Sequence, residues 1–151
     1  MPEAPHEIRP TGVIPSAGQV RLRVRYCECD PMGVVHHSVH PVWMEIARTE
    51  VLREGGISYR EMEAAGVFLV VAHLSIDYRR PARYDDEIVV KCRVTGTGRA
   101  KLEHGYEIWR NVGADGVGGE LVAEARTVLA CVGSDARPRP LPEWLRAEAH
   151  A

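Results

Sequence analysis

The sequence predicts an α+β domain in which an antiparallel sheet of five strands wraps around one long helix. An alternating stretch over 20–29 comes first, a helical pattern follows it, and four further strand-like stretches follow without a second long helix. A lone helix with an apolar stripe has to bury that stripe, and a sheet built from the remaining chain is the surface available for it.

The first strand and the long helix are read from their periodicities. Apolar and polar residues alternate over 20–29, which is typical of a half-buried strand. In the helix, Pro41 suits the first turn and Gly55-Gly56 suits the C-terminal end. Glu50 falls within the apolar stripe, so we expect the helix to extend past the sheet there and Glu50 to meet solvent or an arginine.

The later elements are short and well separated. Ser58 and Glu61 form a capping-box pattern that predicts a second helix ending at Gly66. A last short helix is expected around Trp144. Gly-rich turns at 96–98 and 113–119 predict that the last three strands form an antiparallel meander. The four strand patterns after the long helix cover 67–80, 87–95, 101–111 and 119–132.

Composition bounds the class of protein. The chain has 151 residues, 45% of them hydrophobic, and a net charge of −2 without a basic block, so nucleic acid is not an expected partner. No apolar run approaches the roughly 20 residues of a membrane span, and the N-terminus has no signal-peptide pattern. The cysteines, Cys27, Cys29, Cys92 and Cys131, contain no CxxC pair, which favours reduced thiols and a cytoplasmic location.

We divide the chain into three parts. Residues 1–18 are rich in proline and predict a flexible arm, 19–135 form the folded domain, and 136–151 form an extension with the short helix.

The junction between the first strand and the helix carries the candidate chemistry. Asp30 and the turn residue Gly33 stand directly before the helix, and His36, His37 and His40 crowd its start. The leading N–H groups of a helix are unpaired and partly positive, so they can hold a developing oxyanion, while a carboxylate can attack a carbonyl or activate water. Taken alone, an aspartate before Pro-x-Gly is usually only a turn former.

Two separated motifs resemble the hotdog-fold acyl-CoA thioesterases, in particular the branch of 4-hydroxybenzoyl-CoA thioesterase and the YbgC-type enzymes. The first runs from Asp30 through Pro31-Met32-Gly33 to Arg48, the second is 76–86 (IDYRRPARYDD), and the match covers about residues 20–135. The resemblance implies a hydrolase that splits the thioester of a short-chain or aromatic acyl-CoA. It needs no cofactor beyond the coenzyme A of its substrate, and it forms a homodimer or homotetramer with sites between subunits.

The resemblance also assigns residue roles. The catalytic carboxylate maps to Asp30, the amide that polarises the carbonyl maps to about His37, and Gly33 maps to the turn. His36 and His40 stand where relatives often have an aromatic residue, so they are candidate substrate contacts, or each simply fills an aromatic-sized space. A zinc site using His36, His40 and the nearby cysteines is the rival interpretation, but Pro41 places His40 near the helix start and spoils the i, i+4 geometry. We therefore expect no metal.

The second motif supplies a cationic group. Arg79, Arg80 and Arg83 can bind the phosphates of coenzyme A, or they can be solvated partners of the acids at 85–87. No GxSxG elbow is present, which argues against a serine hydrolase. Two other functions stay open, namely a non-hydrolytic binding module for acyl-CoA or acyl-carrier protein on the same fold, and a structural partner that uses the proline-rich arm.

Overall fold

A computed structural model describes residues 8–147 as one antiparallel sheet with a long helix packed against it. The strands of this part of the chain follow the spatial order β1-β3-β4-β5-β2. The predicted α+β hotdog architecture is confirmed. The elements are β1 (Ala17–Arg23), α1 (His40–Glu54), α2 (Tyr59–Ala64), β2 (Phe68–Tyr78), β3 (Glu87–Thr97), β4 (Lys101–Arg110), β5 (Glu120–Val132) and α3 (Glu143–Ala147).

The helices begin and end where local chemistry predicts. Pro41 lies in the first turn of α1, and Gly56, with φ of 84°, follows its end in the left-handed region that glycine adopts without strain. The Ser58 side chain accepts from the Glu61 N–H while the Glu61 carboxylate accepts from the Ser58 N–H, so α2 has the predicted capping box. Glu50 pairs with Arg53 at the surface, as expected.

The core lies between α1 and the sheet. Trp43, Met44 and Ala47 of α1 are buried together with apolar side chains of the central strands, among them Ile88 and Ile108. The helix lies nearest β1 and β3. No helix within residues 8–147 is both long and apolar enough to cross a membrane.

The sheet is built from the predicted meander and two added edges. β3, β4 and β5 pair in sequence through antiparallel hairpins, while β1 pairs with β3 and β2 returns to pair with β5. β2 is therefore an edge strand, and it leaves Val70, Val71 and Leu74 exposed. An exposed edge strand with apolar side chains is a surface suited to pairing with another chain.

The predicted first strand over 20–29 is corrected by the structure. Strand β1 ends at Arg23, and a 3-10 turn follows over Tyr26–Glu28. The turn forms because the Glu28 carboxylate accepts a hydrogen bond of 2.7 Å from the Arg25 N–H, which bends the chain back on itself. Alternation alone could not reveal this local bond.

The flexible arm predicted over 1–18 is packed where the structure describes it. Ile14 belongs to the core, the Gly12 N–H donates to the Gly55 carbonyl at 2.9 Å, and β1 already begins at Ala17. The predicted C-terminal helix is present as α3, and the Trp144 indole donates to the Ile8 carbonyl at 3.0 Å. Residues 1–7 and 148–151 lie outside the described residues.

Candidate active site

Asp30 lies in a tight turn that joins two short stretches of paired backbone. Its N–H donates to the Val34 carbonyl and its carbonyl accepts from the Gly33 N–H, each at 2.9 Å. Gly33 has φ of 79°, and a Cβ at that position would meet no atom within 4 Å, so the backbone conformation rather than space requires glycine there. The turn presents a half-buried carboxylate at the surface.

The Asp30 carboxylate has one engaged and one open oxygen. Its Oδ1 accepts from the Met32 N–H at 2.9 Å, which is the usual Asx turn of an aspartate at this position. No donor to Oδ2 is found among residues 8–147. Asp30 therefore serves as a turn former and still keeps an acceptor with which to attack a carbonyl or take a proton.

The start of α1 leaves amide donors open beside this turn. Val39 is the N-cap and offers no side-chain oxygen, and no acidic residue lies in the first turn. The His36 N–H donates to the Glu28 carbonyl, and the Ser38 N–H donates to the His36 ring. The His37 N–H has no acceptor in the described part of the chain. Open donors at a helix start favour a negatively charged oxygen.

Glu28, which the sequence did not single out, ties this loop to the helix. It is only 6% exposed, and its carboxylate accepts from the Arg25 N–H and from the Trp43 indole at 3.0 Å. Burial works to raise the pKa of Glu28, but the hydrogen bonds from Arg25 and Trp43, with the Arg25 charge, lower it below its ordinary value. The sequence contained one indication that Glu28 is buried, because Glu28 continues the apolar face of the predicted first strand.

The histidines have three different environments. His36 is exposed, and its Nδ1 lies 2.7 Å from the Ser38 hydroxyl. The ring of His37 is also exposed and stacks on His36 with centroids 4.1 Å apart. His40 is 4% exposed and packs between Trp43 and Tyr78. Burial lowers the pKa of His40, and its position favours the alternative in which it fills an aromatic-sized space; a substrate contact for His40 stays a prediction.

Tyr78 at the end of β2 is a second residue that sequence reasoning missed. Its hydroxyl donates to the His37 carbonyl at 2.6 Å, and its ring meets His40 edge-on with centroids 4.9 Å apart. Tyr78 therefore holds the loop that carries the open His37 amide against the sheet. Its pKa is raised by burial, so the hydroxyl stays protonated at neutral pH and keeps donating.

The predicted arginine group is divided by the fold. Val34 pairs with Arg83 through an isolated bridge, which places Arg83 beside the Asp30 turn. Arg79 instead forms an ion pair of 3.0 Å with Glu124 on β5, and Arg80 reaches the Leu121 carbonyl at 3.5 Å.

The suggestion that the acids at 85–87 neutralise these arginines is wrong. The nearest cations of Asp85 and Glu87 are Arg21 and Arg23, at 2.5 to 3.7 Å. Asp86 accepts from the Arg83 backbone N–H at 2.9 Å, not from its guanidinium. The Arg83 guanidinium pairs with no carboxylate of the described residues.

The rival metal site finds no geometric support in residues 8–147. No group of three or more His, Cys, Asp or Glu side chains there is arranged to hold an ion, and His36 precedes the first helical residue, His40. Cys27, Cys29, Cys92 and Cys131 are free in the structure. That the protein needs no metal stays a prediction.

Comparisons with known proteins show what this chain is similar to. The sequence model of the thioesterase-like superfamily matches residues 24–148. The acyl-CoA thioester hydrolase YbgC of Escherichia coli O6:H1 is 33% identical over 128 residues, which are 84% of this chain and 91% of that protein.

Solved structures show the same similarity. A thioesterase of Thermus thermophilus, complexed with coenzyme A and zinc, has 34% identity and a TM-score of 0.72, over 88% of this chain and 97% of that one. The DHNA-CoA thioesterase of Staphylococcus aureus has 29% identity and a TM-score of 0.73, over 83% and 80% of the two chains. With these matches across most of its length, the chain belongs to the thioesterase-like superfamily.

Proposed function

We propose that the protein is an acyl-CoA thioesterase that releases coenzyme A and a free short-chain or aromatic acid. The observation that carries the proposal is the open carboxylate oxygen of Asp30 next to an uncapped helix start whose His37 N–H has no acceptor in residues 8–147. A thioester carbonyl needs a nucleophile or an activated water on one side and a donor for its oxygen on the other. Membership in the thioesterase-like superfamily supports the same chemistry.

Two routes fit this pair of groups. In the first, Asp30 attacks the carbonyl carbon, the C–S bond breaks as coenzyme A leaves as thiolate, and water hydrolyses the resulting mixed anhydride. In the second, Asp30 takes a proton from water, hydroxide adds to the carbonyl, and the proton passes to the departing thiolate. In both, the His37 N–H holds the oxyanion. If water attacks the Asp30 carbonyl of the anhydride, turnover in ¹⁸O-labelled water places label in the Asp30 carboxylate, an outcome that the second route cannot give.

We expect the residues that bind the coenzyme A phosphates to lie on the same side of the molecule as the Asp30 turn. Arg83 lies beside the Asp30 turn and pairs with no carboxylate of the described residues, so it is the favoured phosphate contact among the three arginines. Arg79 already pairs with Glu124, and Arg80 already donates to the Leu121 carbonyl. The exposed ring of His36 adjoins the open amide and is a further candidate contact for the acyl group. Coenzyme A is substrate here, and we expect no other cofactor.

We also propose a homo-oligomer, a dimer or a tetramer, that joins through strand β2. This edge strand carries exposed Val70, Val71 and Leu74, and α1 exposes Val42 and Ile46. A second copy pairing edge to edge would cover this surface, and Tyr78 at the end of β2 would bring the interface to the candidate site. The free cysteines support a cytoplasmic location.

The test is free-thiol release from a panel of acyl-CoAs by wild type and by Asp30→Asn. We expect the variant to fold and bind substrate but to lose about 10²-fold or more in kcat, because the nucleophile or base is gone. Asp115→Asn is the matched control, since Asp115 makes the same kind of turn by accepting from the Val117 N–H at 3.0 Å. Hydrolysis by Asp30→Asn within a few-fold of wild type would refute the assignment of Asp30.

A non-hydrolytic module that binds acyl-CoA or acyl-carrier protein is the second candidate. The observation in its favour is that Asp30 Oδ1 already has a turn-forming bond to the Met32 N–H. Tight binding of acyl-CoAs without thiol release by the wild-type protein would establish this module and reject the hydrolase.

A further inference from the structure

A cavity lies between α1 and the sheet, and none of its lining residues belongs to the Asp30 turn. Its volume is about 200 Å³, and its walls are mostly apolar, with Leu52, Leu69, Leu102 and Leu129 among them. Cavities of about 150 Å³ with such walls accept a benzene ring, so this one has room for about six to eight carbon atoms.

One wall of the cavity carries a cation that few hydrogen-bond acceptors or carboxylates contact. Arg48 lines it with a side chain that is only 14% exposed. In the described part of the chain its only carboxylate within ion-pair distance is Glu45, 3.6 Å away and 67% exposed. The Tyr106 hydroxyl is a further polar neighbour. A guanidinium has five N–H donors, and one hydroxyl with a carboxylate largely in solvent satisfies few of them, so Arg48 presents open donors to a mainly apolar space.

A second polar group that lines the cavity, on strand β4, lacks a partner. His104 is 5% exposed, and its Nδ1 has no hydrogen bond within residues 8–147. Burial lowers the pKa of His104 to about 4, with a further contribution from the Arg48 charge, so the ring is neutral at pH 7. A buried polar atom without a partner is costly, and in native proteins it calls for an explanation.

We propose that this cavity binds the acyl part of the substrate and that Arg48 and His104 select acyl groups that end in a carboxylate. The inference rests on the proposed thioesterase function and names its substrate class. A carboxylate can accept from the Arg48 guanidinium in bidentate fashion and from the Nδ1–H tautomer of His104. It would satisfy both open groups at once, which a methyl terminus cannot do.

The position along α1 suits an acyl chain that starts at the candidate active site. Arg48 lies eight residues after His40, the first residue of α1, which corresponds to about 12 Å along the axis. Glu45 and Thr49 on the same helix and exposed Val71 on edge strand β2 also line the cavity. The opening therefore adjoins the edge where we place the partner subunit, and the acyl chain would enter from that side.

The experiment compares acyl-CoAs of equal length with different ends. Hexanoyl-, octanoyl- and decanoyl-CoA are measured beside their ω-carboxyl and ω-hydroxyl counterparts, with wild type, Arg48→Met, His104→Phe and the control Arg53→Met. Arg53 is an exposed arginine on α1 outside the cavity. For wild type at the best length we expect kcat/KM for the carboxyl substrate to exceed that of the methyl substrate by about tenfold or more.

The variants separate recognition from structure. Arg48→Met should reduce the carboxyl-to-methyl ratio of kcat/KM by about tenfold or more, chiefly through KM, while Arg53→Met keeps the ratio. His104→Phe should also reduce the ratio, yet raise Tm, because it removes a buried polar atom without a partner. A residue with only a structural role would lower Tm and leave the ratio unchanged. If Arg48→Met does not fold, the His104→Phe ratio decides.

The outcomes also separate this inference from the proposed function. If no acyl-CoA of any kind is hydrolysed, the thioesterase function falls. If acyl-CoAs are hydrolysed without a preference for the carboxyl end, or with a preference for the hydroxyl end, only the carboxylate pocket is overturned. A carboxyl preference that survives in both Arg48→Met and His104→Phe also overturns it.

Discussion

Replacing Glu28 by glutamine should loosen the connection between the Asp30 loop and α1. The carboxylate accepts from two close donors, the Arg25 N–H at 2.7 Å and the Trp43 indole at 3.0 Å, and from the more distant Arg25 guanidinium at 3.5 Å. A glutamine side chain has one oxygen acceptor, and its NH₂ group would face the other donor. Hydrogen bonds to a charged group contribute about 1.5–3 kcal/mol each, and a buried donor left unpaired costs about 1–3 kcal/mol.

We therefore expect Glu28→Gln to lower the free energy of unfolding by roughly 2–4 kcal/mol. For a domain of this size that corresponds to a Tm lower by about 4–16 °C. Chemical and thermal denaturation measure the change, and Glu50→Gln is the matched control, because Glu50 is a surface partner of Arg53. The control should stay within about 1 kcal/mol of wild type.

A double-mutant cycle with Trp43→Phe tests the indole bond itself. If Glu28 and Trp43 are bonded as described, the double variant should be less destabilised than the sum of the singles, by about 1–2 kcal/mol. Strict additivity, or a Glu28→Gln protein as stable as wild type, would refute the reasoning. We also expect kcat to fall in Glu28→Gln, because the Glu28 carbonyl holds the His36 N–H next to the open His37 amide.

The pH dependence has a definite sign. The folded pKa of Glu28 lies below its ordinary value of 4.5, because hydrogen bonds and the Arg25 charge outweigh burial. Such a group contributes stability that is fully present above the unfolded pKa and is lost as the pH falls through the folded pKa. The stability difference between wild type and Glu28→Gln should therefore be largest at neutral pH and shrink below about pH 4.5.

Three further predictions concern substrate, assembly and metal. Arg83→Ala should raise KM for acyl-CoA more than it lowers kcat, and it should leave the hydrolysis of a truncated thioester without the nucleotide unaffected. Arg79→Ala, which loses an ion pair with Glu124, should change KM less. If Arg83→Ala affects both thioesters equally, Arg83 does not contact a phosphate. Leu74→Lys on β2 should dissociate the oligomer in light scattering, whereas Val117→Lys in an exposed loop should not. Exhaustive chelation should leave activity intact. If each subunit holds one tightly bound zinc, and chelation removes the zinc and the activity together, this prediction is wrong.

Local patterns determined most of the secondary structure. The Ser58–Glu61 box, Pro41 at the start of α1 and the alternation of the later strands act within a few residues of chain, so they are readable from the sequence. The Asp30 turn and the helix start that follows were predictable for the same reason. The resemblance to thioesterases rests on these contiguous motifs, and family membership is confirmed.

Tertiary structure decided what depends on residues far apart in sequence. Strand β1 ends early because its extension is replaced by bonds among Arg25, Glu28 and Trp43, and the last two are fifteen residues apart. The arginines were predicted as one group, but pairing of β2 with β5 gives Arg79 a partner on the neighbouring strand and leaves Arg83 at the Asp30 turn.

The burial of His40 and the cavity at Arg48 also depend on residues that are far apart in sequence. His40 is enclosed by Tyr78, thirty-eight positions away, and Arg48 faces a space bounded by β2 and the central strands. By itself the sequence determined which elements form and that a carboxylate precedes a helix start. Which polar groups are buried, paired or left open was decided only by the packing of α1 on the sheet, because burial and pairing depend on distances in space that periodicity along the chain does not encode.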